Sequence, residues 1–275
     1  MSENNLSSNI DKAGENYWSD LWERTSLPES INIHSKSLNS YPDRILDKIF
    51  RKIFQGIDTR GKRLLEIGCG NSVLLPYLAK EFGFEIYGID YSKKGCKQSE
   101  LILEREGLKG VIICEDAFNP KKDLLNTFDV VCSFGVAEHF LDTAGTLKSF
   151  SNFLKPGGIL VTSIPNMKGA TGLLHKWLNR PVYEIHVPLD KEDLTNAIIK
   201  AELKPILSEY FLAISFAITL DGIDGKRIPN FFIKKVFVKF LRYSSKLIWV
   251  LENLFGTLPP GRFLSGGVIT SAKKN

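Results

Sequence analysis

Cysteine and histidine are both scarce in this chain, with four residues of each. None of Cys69, Cys96, Cys114 and Cys132 forms a C-x-x-C pair, and none stands at zinc-ligand spacing from a histidine, which argues against a zinc module. Cys114 and Cys132 lie inside apolar runs and read as small buried hydrophobes. A reducing cytoplasm is the compartment that suits such thiols. Long hydrophobic runs are missing too. No stretch approaches the ~20 residues that a membrane-spanning helix needs, and the polar start MSENNLSSNIDKAGEN lacks the apolar core of a signal peptide. There is no internal repeat and no low-complexity segment.

The 275 residues are 43% apolar, enough for one sizeable core, and 24% are charged. The net charge of +5 is mildly basic. It does not imply nucleic acid by itself, because Asp and Glu are spread through most of the chain.

Residues 1–16 read as a mobile tail. A short helix is predicted over 17–22, with Trp18 and Trp22 four apart on one face, and an amphipathic helix over 42–55, where Ile45, Ile49 and Ile53 repeat every four residues. From Arg63 the pattern alternates. Apolar runs predict strands at 63–67, 85–89, 111–114, 128–133 and 158–164, separated by helices at 73–82, 93–106 and 143–154. Short apolar strands without strict alternation suit a parallel sheet covered on both faces. Alternation of strand and helix predicts a doubly wound α/β sheet. Asp190 and Asp193 approximate a capping box that opens a helix ended by Pro205. A strand follows at about 206–219, residues 221–257 form an insertion, and 266–272 read as a last, seventh strand. The whole chain reads as one domain: residues 1–60 tail and cap helices, 61–165 a ligand-binding core, 221–257 a helical insertion.

In doubly wound sheets ligands bind at the carboxyl ends of the strands. The first predicted strand ends in Glu66-Ile67-Gly68-Cys69-Gly70-Asn71-Ser72. Two glycines let the backbone turn sharply and approach a ligand. Ser72 is a candidate helix cap, and Pro76 falls in the first turn, where its missing N–H does little harm. Asp90 ends the second strand about twenty residues later, where an acid can accept both hydroxyls of a ribose; its plain alternative is a helix cap or a solvated loop acid. A dinucleotide fingerprint wants a third glycine where Val73 stands. Glu66 would repel a pyrophosphate but attract a cation. S-adenosylmethionine carries a sulfonium and an ammonium and no phosphate, so these residues favour it over NAD.

The ordered set is similar to the motifs of class I S-adenosylmethionine-dependent methyltransferases. Glu66-x-Gly68-x-Gly70 resembles their first motif. Asp90, Glu115-Asp116-Ala117, Phe128–Ser133 with Ala137-Glu138-His139-Phe140, and Leu154-Lys155-Pro156-Gly157-Gly158 resemble the later ones. The resemblance covers about residues 60–165, and Ser72 departs from it where many members have a third glycine. It implies a Rossmann-like methyltransferase fold, a mostly parallel seven-stranded sheet. It also implies that Glu66 and the backbone of Gly68, Cys69 and Gly70 hold the methionine part, Asp90 the ribose, and Asp116 and Ala117 the adenine. Tyr91 and Phe134 either pack on adenine or the sulfonium or belong to the ordinary core. The Trp18/Trp22 helix either closes over the donor or patches the core.

Methyl transfer to a hydroxyl gains from alignment and from a base, for which histidine suits neutral pH. Of His34, His139, His175 and His186, the candidates are His139, which follows the fourth strand, and His186, which follows the fifth-strand loop. Both could instead be structural. Some quinone-biosynthesis O-methyltransferases carry a further Glu three residues before the Glu-His pair. Here that position is Gly135, so the lone Glu138-His139 pair predicts no metal. The acceptor is expected to be a small molecule, a glycan or a lipid-linked compound methylated on oxygen. N-methylation of an amine, an NAD-dependent oxidoreductase and a non-catalytic adenosyl-binding module are the alternatives.

Residues 225–251 hold no Asp or Glu but contain Lys226, Arg227, Lys234, Lys235, Lys239, Arg242 and Lys246. At helical spacing Lys235, Lys239, Arg242 and Lys246 share one face, with Ile233, Val236, Phe237, Phe240, Leu247 and Ile248 on the opposite side. Such a helix either lies on an anionic membrane or amphiphilic acceptor, or packs as a lid on its own domain. Nucleic acid suits it less, since the aromatics fall mainly on the apolar side.

Overall fold

The computed structural model describes residues 10–216, 218 and 230–275. Seven strands form one sheet: β1 (Arg63–Ile67), β2 (Glu85–Asp90), β3 (Val111–Cys114), β4 (Phe128–Phe134), β5 (Leu154–Pro165), β6 (Leu203–Phe211) and β7 (Gly267–Lys274). Their order is β3-β2-β1-β4-β5-β7-β6. The pairs from β3 through β5 are parallel, and β7 runs antiparallel between β5 and β6. The strand order reverses at β1, which lies between β2 and β4. The crevice beyond its carboxyl end is where such sheets take ligands.

Helices cover both faces: α1 (Glu15–Arg24), α2 (Tyr41–Ile53), α3 (Leu74–Phe82), α4 (Lys93–Arg105), α5 (Thr143–Ser151), α6 (Ala170–Leu178), α7 (Arg180–Glu184), α8 (Lys191–Lys200) and α9 (Phe231–Phe255). Successive strand residues point to opposite faces, so Leu65 and Val131 join one buried cluster with Phe150 of α5 and Leu194 of α8. Their neighbours Leu64 and Val130 join a second with Phe50 of α2 and Leu78 of α3. Local chemistry sets the helix ends. Ser92 and Asp142 accept the amides of Gly95 and Gly145, and Asp190 with Asp193 makes the full capping box that the sequence approximates.

Several boundaries move. Ser72 stands one residue before the N-cap of α3, although its hydroxyl still accepts the Leu74 amide at 3.0 Å. α5 stops at Ser151 because Leu154 already pairs with Phe128, ahead of a register shift in β5. α8 ends before Glu202, which takes φ 63°. Pro205 lies within β6, next to a second register shift, and ends no helix. β6 closes at Phe211 and does not run on to 219. Cys114 is exposed, not buried, because β3 is an edge strand and lacks a neighbour on one side. The segment from Ile10 is docked and not a free tail: Asp11 forms a bridge with Phe140, and the Lys12 amide donates to the His139 carbonyl at 3.0 Å. α6 and α7 have no counterpart among the predicted elements. The insertion contains α9, while residues 1–9 and 221–229, including Lys226 and Arg227, lie outside the described residues.

Candidate active site

The loop after β1 is built on two left-handed glycines. Gly68, at φ 70°, donates its amide to the Ile89 carbonyl at 2.8 Å. A Cβ on it would stand 2.5 Å from Val136 Cγ2. Gly70, at φ 38°, donates to Asp90 Oδ2 at 2.9 Å, and the Ser92 amide donates to Asp90 Oδ1 at 2.7 Å. Each Asp90 oxygen keeps a further lone pair for a ligand hydroxyl. Burial raises the Asp90 pKa, and the two amides pull it back down.

Beyond this loop, at the carboxyl ends of β1, β2 and β4, lies a cavity of about 450 Å³. Of the residues singled out in the sequence, Gly68, Asp90, Tyr91, Asp116, Ala117, Phe134, His139 and His186 line it. Glu66, Cys69 and Gly70 stand behind its wall. The Cys69 thiol turns toward the core cluster beneath Gly88. Glu66 is only 3% exposed and accepts the Ser72 hydroxyl at 2.6 Å. Burial pushes its carboxyl up to about 8, with the charge of Asp90 adding to the effect and the Ser72 bond opposing it.

α1 closes the cavity from above. Trp22 lies against the glycine loop so closely that a Cβ on Gly70 would sit 2.6 Å from its ring. Trp18 stacks on Trp22 at 5.9 Å and meets the His139 ring edge-on at 5.0 Å. The approach below is latched as well: the Tyr91 hydroxyl donates to Asp11 Oδ2 at 2.6 Å, and Lys12 Nζ donates to the His186 carbonyl at 2.7 Å. Phe134 lines the cavity and also packs 5.9 Å from Phe50 of the core.

At the far end three side chains converge. The rings of His139 and His186 are 4.5 Å apart, and Glu138 joins them so that one donor atom of each residue lies within 4.8 Å of the others. The sequence reading took Glu138-His139 as a lone pair; the chain path through α7 adds His186 and removes that ground for expecting no metal. Nδ1 of His139 lies 2.9 Å from the Ile185 carbonyl and Nδ1 of His186 lies 2.5 Å from the Val182 carbonyl. A carbonyl can only accept, so both Nδ1 atoms carry the proton and each Nε2 is the basic nitrogen. Burial drives the His186 pKa down to about 3, aided by His139. Burial lowers His139 too, while the Ile185 carbonyl and the charge of Asp11 oppose that. Glu138 is pushed up to about 8 by burial, and its Oε2 has no hydrogen-bond partner. His175, on α6, also faces the cavity, whereas His34 lies at the surface 3.4 Å from Glu81.

Among the described residues the lining contains Asp11, Asp90, Glu115, Asp116 and Glu138 but no Lys or Arg. A pyrophosphate would find no counter-charge here. A cationic ligand with a ribose and an adenine finds acids, aromatic faces and a close-approach glycine loop, which fits S-adenosylmethionine and not NAD. The sequence reading missed Asp11, Tyr17 and Leu21 as lining residues, along with Met167, Val182 and Ile185 from the α6–α7 region. Only α6 offered a local signal, the four-residue spacing of Leu174 and Leu178.

Comparison with known proteins agrees with this geometry. The profile of a family described as "Methyltransferase domain" matches residues 37–207, more than half of the chain. A ubiquinone biosynthesis O-methyltransferase of Cereibacter sphaeroides (strain KD131) is 28% identical over 182 residues, covering 62% of this chain and 71% of that protein. Among solved structures, the [4+2]-cyclase SpnF superposes with a TM-score of 0.59 at 15% identity, covering 97% of each chain. Phosphoethanolamine N-methyltransferase 2 of Haemonchus contortus, in complex with S-adenosyl-L-methionine, superposes at 0.58 and 18% identity, covering all of this chain and 61% of that one. At such identities these two structures show the fold alone.

Proposed function

This chain belongs to the class I S-adenosylmethionine-dependent methyltransferases, and from that membership we propose that it methylates a hydroxyl oxygen on a small or amphiphilic acceptor. The observation that carries the reading is the meeting, in one cavity, of the Gly68–Asp90 end with two neutral imidazoles at the other. The C. sphaeroides relative, whose name specifies O-methylation, supports the choice of oxygen.

In this reading the Gly68 loop backbone faces the methionine end of the donor, with Glu66 behind it joined to Ser72, while Asp90 accepts from the ribose and Asp116 with Ala117 meets the adenine. The bound donor supplies a methyl group on a sulfonium, and transfer leaves a neutral thioether. The protein aligns the acceptor oxygen with that methyl. As the new O–CH₃ bond forms, an imidazole Nε2 takes the hydroxyl proton. His139 is the better base, since the charge of Asp11 opposes the fall of its pKa, whereas His186 is pushed down to about 3 and holds a proton poorly. Trp18, Trp22 and the Asp11–Tyr91 latch exclude water.

The buried, unpartnered Glu138 Oε2 favours a second reading. A divalent cation held by Glu138, His139 and His186 would activate the same hydroxyl by lowering its pKa, with the Nδ1–carbonyl bonds orienting both rings. The free cysteines suit a cytoplasmic setting.

Incubation with S-adenosylmethionine and a panel of phenols, sugars and lipid-linked alcohols, followed by mass spectrometry, tests the proposal. A gain of one methyl on oxygen is expected. Methylation confined to amines would overturn the choice of oxygen.

A further inference from the structure

The apolar side that the sequence assigns to the insertion does not turn inward. A different strip anchors α9 to the body: Val238, Leu241, Ser245 and Trp249, at spacings of three and four. Val238 and Leu241 pack with Leu178 and Ile218, the Ser245 hydroxyl accepts the Phe216 amide at 2.9 Å, and Trp249 donates to the Ile214 carbonyl and stacks on Tyr41. At 100° per residue, Ile233, Val236, Phe240, Tyr243, Leu247 and Leu254 fall on the side opposite that strip. All are exposed, Phe240 at 63% and Leu247 at 62%. Only Phe237 and Ile248 of the predicted apolar side are half-buried. The stripe runs the length of the helix, about 37 Å at 1.5 Å per residue. It continues through the Phe237–Trp177 ring contact at 5.5 Å onto α6, whose Leu173 and Trp177 are exposed. A monomeric soluble protein rarely leaves such a surface uncovered.

We propose that the outward stripe of α9, extended by Leu173 and Trp177, is a docking surface for an anionic lipid bilayer. Charge selects this occupant. Lys235, Lys239 and Lys246 form a row along one flank of the stripe, between the anchored strip and the exposed one, in a segment, residues 225–251, that holds no Asp or Glu. Lys246 donates to the neutral amide oxygen of Asn39, and Lys234 to the carbonyls of Trp177 and Leu178, so these bonds leave the positive charges uncompensated. A helix lying in the interface places its apolar face among the acyl chains and its flanking lysines at the phosphates. Tyr243 and Trp177 have the amphipathic rings that suit headgroup depth. The helix lies on the membrane and does not span it: no helix among the described residues is long and apolar enough to cross one. α6 then stands between the bilayer and the cavity, with His175 on its inner side and Trp177 on its outer side.

Flotation of the full chain with vesicles of phosphatidylcholine alone, or with about a third phosphatidylglycerol, tests the proposal without any methyl transfer. Binding is expected to the anionic vesicles, to fall steeply in high salt, and to weaken about tenfold or more in the F240E/L247E double variant and in K235A/K239A. Both pairs are exposed, and circular dichroism with S-adenosylmethionine binding checks their fold. A wild-type chain that stays unbound at low salt, or an F240E/L247E variant that floats equally well, would overturn the proposal. So would a stable dimer that F240E/L247E dissociates while neither form binds vesicles, since a second copy would then cover the stripe.

Discussion

The amide of Gly70 donates to Asp90 Oδ2 at 2.9 Å, so the acid that ends β2 also clamps the loop that ends β1. Removing this side chain affects the donor twice, through the ribose contact and through the loop. Asp90→Ala is expected to weaken S-adenosylmethionine and its demethylated product by about 1.5–3 kcal/mol, the scale of hydrogen bonds to a charged group. Calorimetry measures this, with NAD as the third ligand and no heat expected from it. Unchanged affinity in the variant would remove Asp90 from the donor site.

Burial lowers the pKa of both His139 and His186, and the charge of Asp11 opposes that fall only at His139. His139→Ala is therefore expected to lower turnover about 10²–10⁴-fold with donor affinity retained, and His186→Ala to cost less. Activity should survive exhaustive chelation. Loss on chelation, with recovery on adding a divalent cation, would decide for the cation reading of Glu138, His139 and His186.

Gly70 and Trp22 are in contact, so their substitutions should not add. Gly70→Ala places a methyl group 2.6 Å from the Trp22 ring and is expected to cost roughly 1–3 kcal/mol of stability, with weaker donor binding. In a Trp22→Ala background the same change should cost less, the remainder being the strain of a positive φ. Additive costs in a double-mutant cycle read by urea unfolding would show that α1 does not seat on the loop in solution.

Glu66 and Glu138 both have carboxyls raised to about 8 from 4.5 by burial. Between those values the folded protein keeps protons that the unfolded chain releases, so stability is highest on the acid side and falls as pH rises through the window. Glu106, held down to about 2 by Lys80, acts in the opposite sense but only at lower pH. The lowered pKa values of His139 and His186 oppose this below about pH 6.5, so the Tm of the ligand-free protein should decline from about pH 7 to about pH 8.5, and Glu138→Gln should flatten that slope, each acid carrying up to a few kcal/mol. A Tm that climbs over this range would contradict the burial of both acids.

What the sequence disclosed is what is local. The Gly68–Gly70 turn, Asp90 at a strand end and the Asp190–Asp193 cap are set by neighbours a few residues away, and the structure has each in place. Contacts between distant segments left no periodicity to read. Asp11 finds Tyr91, Lys12 finds His186, and His186 finds Glu138 only because the sheet brings separate connections to one edge. Cys114 misled for a related reason: an apolar run does not tell whether its strand has one neighbour or two. The charge separation of the insertion was visible, but the second apolar strip through Val238, Leu241 and Trp249 was not distinguished from the first.

β6 and β7 are antiparallel neighbours that stay paired to their adjoining ends, Phe211 against Gly267. The chain that leaves one and enters the other therefore begins and ends in the same place, whatever it does between. Lengthening such a connection costs only logarithmically in closure entropy, and none of the β1, β2 and β4 residues around the cavity belongs to it. The connection that carries α9 is thus a replaceable address label: exchanging it would redirect the same body to another surface, while the interior strands β1, β2 and β4 keep the cavity at their carboxyl ends.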